Sequence, residues 1–268
     1  MSELPGQEAF AGETISARID GEVGWVILGG ERPFTLDESV PGDLVAAIEA
    51  VESSPARALV LAGTTRVFCA GANLRLGPKL VDAAFAREWL AGHHEAIARL
   101  AECPLPTVAA VHGAAAGAGC NLAIACDHVV AAPAARFSQA FIRIGLATDM
   151  GSLFLLPRRT GLQAAKDLML SGREVEGEEA IALHLADELC PPDSVWDRAA
   201  DVARARAAGP LAAYAAVKRG LAEGADMPLR ASLDLERDLQ LDVLLDPDFA
   251  EGSQAFLEKR PPAFGGQI

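Results

Sequence analysis

Two loops made almost wholly of small residues constrain this chain more than any other feature. The first runs Phe68-Cys69-Ala70-Gly71-Ala72-Asn73-Leu74. The second runs His112-Gly113-Ala114-Ala115-Ala116-Gly117-Ala118-Gly119-Cys120-Asn121-Leu122. Each follows a short apolar run with strand character, Ala58–Ala62 and Val108–Val111. Loops so poor in side chains let another backbone, or a ligand, reach main-chain N–H groups. A pair of them is expected to aim two N–H donors at one oxygen, as an oxyanion hole does. The plain alternative is that small residues only permit tight helix–strand packing. Two such loops, each leading into a helical start, favour the first reading.

The pattern around the loops is strand–loop–helix. Thr14–Ile19 and Val23–Leu28 flank Asp20-Gly21-Glu22 and predict a β-hairpin. Asp43–Val51 predicts a helix with Leu44, Ala47, Ile48 and Val51 on one face. Asp82–Glu102 predicts a long helix, ended by Cys103-Pro104-Leu105-Pro106. Strands are expected at Thr107–Val111 and His128–Ala131, with a short helix from about Gly117 to Cys126 between them. Phe137–Leu146 is mixed, and Gly161–Leu170 and Glu178–Leu185 read as helices. Beyond Pro191-Pro192 every apolar pattern is helical, in Asp197–Ala207, Leu211–Leu221, Leu229–Leu244 and Phe249–Glu258. The fold class is therefore α/β, with residues 1–195 as the core and 196–268 as a helical C-terminal region. Those Ala-rich helices hold too little bulk for a core of their own, so their apolar stripes are expected to meet another subunit.

Composition excludes several function classes. The net charge of −14 argues against nonspecific nucleic-acid binding, which needs phosphate neutralisation. A local group of Lys and Arg can still hold an anionic small ligand. Five cysteines without a CxxC pair predict reduced thiols and no zinc site. No apolar run reaches the roughly 18 residues of a membrane span. Met1–Thr14 has no signal-peptide pattern, so the expected location is cytoplasmic. A dinucleotide fold is a poor fit, because the glycines run Gly113-x3-Gly117-x-Gly119 and no acid ends the next strand. No Gly-Lys-Ser/Thr follows either loop, which excludes a P-loop.

Val67-Phe68-Cys69-Ala70-Gly71-Ala72-Asn73-Leu74 resembles the first signature of the crotonase (enoyl-CoA hydratase/isomerase) superfamily. Pro106–Gly113 through Asn121–Asp127 resembles the second. Phe137-Ser138-Gln139, Ile144-Gly145-Leu146, Leu155–Arg158 with Gly161, and Glu251-Gly252 with Ala255–Pro261 match later stretches, so the likeness runs from about residue 14 to 266. The resemblance implies a crotonase-like spiral of ββα units, a helical C-terminal trimerisation region, and homotrimers or hexamers. It implies acyl-CoA thioester substrates, with coenzyme A as part of the substrate and no separate cofactor. By motif position the oxyanion hole is the backbone N–H groups of Ala72 and Ala118, with Ala70, Gly71 and Gly117 lining the substrate.

The same resemblance places the two hydratase glutamates on Asn121 and Phe141. Asn is no base near neutral pH, and Phe has no proton to move. One carboxylate remains, Asp149, in Gly145-Leu146-Ala147-Thr148-Asp149-Met150-Gly151-Ser152. This resembles the isomerase branch, including enzymes similar to 1,2-epoxyphenylacetyl-CoA isomerase, in which an acid at this position moves a proton. The plain reading of Asp149 is an N-cap for a helix from Met150 or Gly151. In a relative similar to 4-chlorobenzoyl-CoA dehalogenase it is a nucleophile. Phe141 is expected to face the substrate as an apolar wall that raises the basicity of Asp149, and Asn121 either to hydrogen-bond substrate or water or, equally, to serve a structural role. His93 and His94 are read as surface or packing residues, His112 as support for the strand–loop corner, and Cys69 and Cys120 as packing.

Candidates for the coenzyme A phosphates are Arg32, Arg66, Arg75, Lys79, Lys259 and Arg260, with Arg32 and Lys259 favoured. Phe34-Thr35-Leu36 stands where the family usually has Asn-Ala-Leu. The sequence thus leaves three readings: an isomerase using Asp149, a hydratase with an unusual acid/base set, and a non-catalytic acyl-CoA-binding homologue.

Overall fold

A computed structural model describes residues 5–29, 33–64 and 67–266. Strand β1 (Gln7–Ala11) lies antiparallel on β2 (Ile15–Asp20), and β2 on β3 (Val23–Leu28). The predicted hairpin is present, turning at Gly21 with φ of 60°. Helix α1 (Val40–Glu52) then carries the chain to β4 (Ala58–Gly63), parallel to β3. Its buried face is Val40, Leu44, Ala47, Ile48 and Val51, and Pro41 in its first turn starts it earlier than the periodicity predicts. Both β3 and β4 are buried along their whole length, so their apolar runs do not alternate.

From β4 onward the chain repeats one move. A strand of the large sheet is followed by a strand of a small second sheet, then by helix. The first round is β4, β5 (Val67–Cys69), then α2 (Gly77–Leu80) and α3 (Ala83–Ala101). Asp82 caps α3 through the N–H groups of Ala84 and Phe85. The second round is β6 (Thr107–Val111), β7 (Ala114–Ala116) and α4 (Ala118–Ala125). The third is β8 (His128–Ala131), β9 (Arg136–Ser138), a 3-10 turn Ala140–Ile144, then α5 (Ser152–Thr160) and α6 (Leu162–Ser171). Strand β10 (Glu174–Glu176), helix α7 (Gly177–Ala182) and strand β11 (Glu188–Leu189) complete the α/β part. The large sheet has the order β1-β2-β3-β4-β6-β8-β11, and the small one β10-β9-β7-β5. This is the spiral of ββα units that the motifs imply.

Four helices follow: α8 (Val195–Ala207), α9 (Leu211–Gly224), α10 (Leu229–Leu244) and α11 (Pro247–Glu258). Helix α8 packs against β3, β4, β6 and β8, and Trp196 meets Trp25 at 5.5 Å between ring centroids. It therefore shares the core of the large sheet, although its sequence pattern groups it with the C-terminal helices. Helices α9 and α10 form a hairpin in which α10 buries no residue. Lys218 of α9 ties it to the α/β part, donating to Asp127 Oδ2 at 2.7 Å and Leu105 O at 3.0 Å. Among the described residues no helix is long and apolar enough to cross a membrane.

Arg57, buried just before β4, fastens the C-terminal end. Its guanidinium donates to Ala207 O at 2.8 Å, Gly209 O at 3.0 Å and Gly266 O at 2.6 Å. Three carbonyls thus depend on one planar fork. Arg57→Met is expected to lower unfolding free energy by about 3 kcal/mol, because charged hydrogen bonds are lost and buried carbonyls are orphaned. Urea unfolding of the two proteins measures this.

Candidate active site

The two loops meet. Strand β5 pairs parallel with β7, bringing Cys69 opposite Ala115. Gly71 has φ of 85°, and a Cβ there would stand 2.8 Å from Ala116 O and 3.8 Å from Ala118 N. A Cβ on Gly119 would stand 2.2 Å from Cys69 O and 2.7 Å from Cys69 Cβ. Only glycine admits these approaches, so both loops need their small residues to touch at all. The Phe34–Leu36 segment braces the first loop: Ala70 N donates to Phe34 O, Leu36 N to Gly71 O, and Asn73 N to Leu36 O. Among the described residues, neither Ala72 N–H nor Ala118 N–H joins a backbone hydrogen bond. Ala118 opens α4, whose eight residues are all buried and whose N-terminus carries the positive end of the helix dipole. Two free N–H groups on adjacent loops can hold an oxygen that gains negative charge.

Helix α4 also fixes what stands around them. One turn after Ala118, Asn121 is fully buried and donates to the backbone O of Asp149 at 2.9 Å. Its own oxygen accepts from Gln139 Nε2 at 2.8 Å. The Asn121 carboxamide is thus engaged at both ends inside the protein, as the structural reading of this residue expects. Phe141 does face the loops, its ring 3.6 Å from where a Cβ on Gly117 would lie.

Asp149 precedes two residues with positive φ, Met150 at 50° and Gly151 at 73°. Helix α5 starts after them with Gly151 as its N-cap and no side-chain cap bond. The N-cap reading of Asp149 is therefore wrong; its side chain turns elsewhere. Its Oδ1 is buried without a hydrogen-bond partner. Burial pushes its carboxyl above the usual aspartate range, and the charge of His94 opposes the shift. His94 belongs to α3, one turn before Ile97, which approaches Gly151 to 4.0 Å from a Cβ placed there. His93 stands four residues before Ile97 and His94 three, so helical spacing alone does not tell the two histidines apart. His93 is a packing residue, buried, stacked on Trp89 at 4.0 Å and bonded through Nδ1 to Trp89 O.

The remaining candidates fall as follows. Cys69 and Cys120 are buried, and burial pushes both thiols up to about 12, so neither is a nucleophile near neutral pH. His112 sits half-buried at the strand–loop corner. A cleft of about 1100 Å³ adjoins the first loop, lined among others by Thr14, Phe34, Asp37, Asn73 and Arg75. Arg75 is exposed there and makes no ion pair among the described residues. Lys79 pairs with Glu38, and Arg260 with Glu251 and Glu258. Lys259 is the exposed C-cap of α11. The tail after it is anchored by Arg57 at the opposite end of β4 from the first loop, and among the described residues no hydrogen bond or ion pair joins the Lys259 side chain to either loop. Arg32 and Arg66 lie outside the described residues.

Residues 31–267 match the enoyl-CoA hydratase/isomerase family. The chain belongs to that family. It is 42% identical over 252 residues to a Rhodobacter capsulatus protein named "Probable enoyl-CoA hydratase", covering 91% of this chain and 95% of that one. It is 34% identical over 244 residues to the 1,2-epoxyphenylacetyl-CoA isomerase of Escherichia coli, covering 88% and 92%. The crystal structure of an enoyl-CoA hydratase from Polaromonas sp. JS666 superposes with a TM-score of 0.87 at 31% identity, over 93% of this chain and 98% of that one. The protein is thus an acyl-CoA enzyme of the enoyl-CoA hydratase/isomerase family, with that family's fold.

The environment of Asp149 has a thermodynamic consequence. A carboxyl whose pKa is raised by folding destabilises the native state, fully above the folded pKa and not at all below the unfolded one. Asp149→Asn is therefore expected to raise the melting temperature at pH 7, with the gain shrinking as pH falls through the raised pKa. Calorimetry between pH 4 and 8 reads both.

Proposed function

We propose that this enzyme moves a proton within an enoyl-CoA thioester, interconverting 3-enoyl and 2-enoyl forms. The buried, unpartnered Oδ1 of Asp149 carries the reading. A buried carboxylate oxygen with no partner inside the protein, on the residue whose carbonyl Asn121 of α4 holds, is open to a partner that the substrate supplies. The thioester oxygen accepts from the N–H groups of Ala72 and Ala118. Asp149 takes a proton from C2, the C2–H bond breaks, and its electrons pass to the oxygen as an enolate. The same carboxyl then gives its proton to C4 as the double bond moves from C3–C4 to C2–C3. The burial of the carboxyl sustains its basicity, and the Phe141 ring over Gly117 adds an apolar wall to the loops. Each N–H donor is worth about 2.7–4 kcal/mol to such an enolate.

The absence of acids at Asn121 and Phe141 supports isomerisation over addition of water. A hydratase reading draws on His94, which acts on Asp149 electrostatically and offers a second proton-handling group. Coenzyme A, carried by the substrate, would run along the cleft beside Arg75. We also infer a homo-oligomer, trimer or hexamer. The support is the apolar surface on the C-terminal helices, where Leu229, Leu233 and Leu245 of one chain stand exposed.

Asp149→Asn is expected to lower the isomerisation of 3-enoyl-CoA about 10²–10⁴-fold. In the wild type, kcat/KM falls as pH drops through the Asp149 pKa, at a pH above the ordinary aspartate range, and the variant lacks that limb. Full activity in Asp149→Asn overturns the isomerase reading, and rapid hydration of crotonyl-CoA by the wild type turns the choice to hydratase. Sedimentation of the wild type is expected to give a multiple of 27.9 kDa, and Leu233→Glu to reduce it.

A further inference from the structure

Four polar side chains close a circuit around Asp149, and each bond in it has only one possible direction. The Asp149 backbone oxygen can only accept, and it accepts from Asn121 Nδ2 at 2.9 Å and Ser152 N at 3.1 Å. Asn121 must therefore turn its oxygen to Gln139, whose Nε2 donates at 2.8 Å. That leaves Gln139 Oε1 to accept from Thr148 Oγ1 at 3.1 Å. With its one hydrogen committed, Thr148 accepts from the Ser152 hydroxyl, which bonds to it. Asn121, Gln139 and Ser152 are each at most 1% exposed. Inside the circuit lie Met150 and Gly151, both at positive φ, a conformation that a residue with a side chain holds only under constraint.

We propose that Asn121 is a positioning residue that holds Asp149 through this circuit. The inference rests on Asp149 being the proton carrier. A carboxylate at 121 has no hydrogen for the Asp149 carbonyl and would set two acceptors against each other at 2.9 Å. An acid at 121 and an acid held in this way at 149 therefore exclude one another. The amide is the condition for using Asp149, beyond being the loss of a glutamate.

Among the described residues, His94 of α3 is the one charge found to act on Asp149. Helix α4 presents the neutral Cys120 and Asn121, and Gln139 caps the 3-10 turn, in which Arg143 pairs with Glu174. On α5, Arg158 pairs with Asp226 and Arg159 with Asp187.

The test is exchange of the C2 protons of trans-3-hexenoyl-CoA in D2O, with Asn121→Asp, Thr148→Val, Asp149→Asn and the Asn121→Asp/Asp149→Asn double variant. Asn121→Asp is expected to lower kcat about 10²-fold with KM within about twofold. It should also move the acid limb of the pH profile upward, since a second carboxylate raises the pKa of the first. Thr148→Val, at the far side of the circuit, should give a smaller loss in the same direction, and it decides the matter should Asn121→Asp fail to fold. The double variant should be no slower than Asp149→Asn, because Asn121 acts through Asp149. Wild-type kcat with an unmoved acid limb in Asn121→Asp, or an additive loss in the double variant, overturns the circuit alone. Full activity in Asp149→Asn overturns the proton carrier and the circuit together.

Discussion

Everything at the candidate site depends on two backbones being allowed to touch. The carbonyl of Cys69 sits where a side chain on Gly119 would begin, and the carbonyl of Ala116 where one on Gly71 would begin. A hydrogen atom at each of these positions sets the spacing of β5 from α4. That spacing brings the N-terminus of α4 beside the first loop with Ala118 N–H free. No side chain contributes a donor here; the chain supplies it by leaving side chains out.

The sheet explains why the free donors collect at one end. Strands β4, β6 and β8 run parallel, so each leaves the large sheet at the same edge and steps into the small sheet there. Three successive exits stack β5, β7 and β9, and the 3-10 turn after β9 brings Phe141 across Gly117. The opposite edge of the same strands has another task, where Arg57 and Asp127 hold the helical C-terminus.

Regular elements with enough residues to show a period were legible in the sequence. Thr107–Val111 and His128–Ala131 are strands to the residue, and the apolar face of α1 is as expected. Strands β5, β7 and β9 have three residues each, too few for alternation, and β7 is entirely alanine. Helix α8 has a helical pattern, but nothing in its sequence says which layer it covers. At the site, the loops could be read from composition because their chemistry is backbone chemistry. Asn121 could not, because its meaning lies in a carbonyl 28 residues away and in an amide orientation set by Gln139. The left-handed Met150 likewise carries no mark in a one-letter code.

All five cysteines are free, and four of them are buried. The odd count already argued for thiols over disulfides, but the fold supplies a stronger reason. Cys69 and Cys120 flank the N–H donors with their sulfurs shut away from solvent and from ionisation. Cys190 after β11 is the least buried of the five, and even there burial and the neighbouring Glu188 push the thiol up, so the fold holds all five cysteines as thiols slow to react near neutral pH.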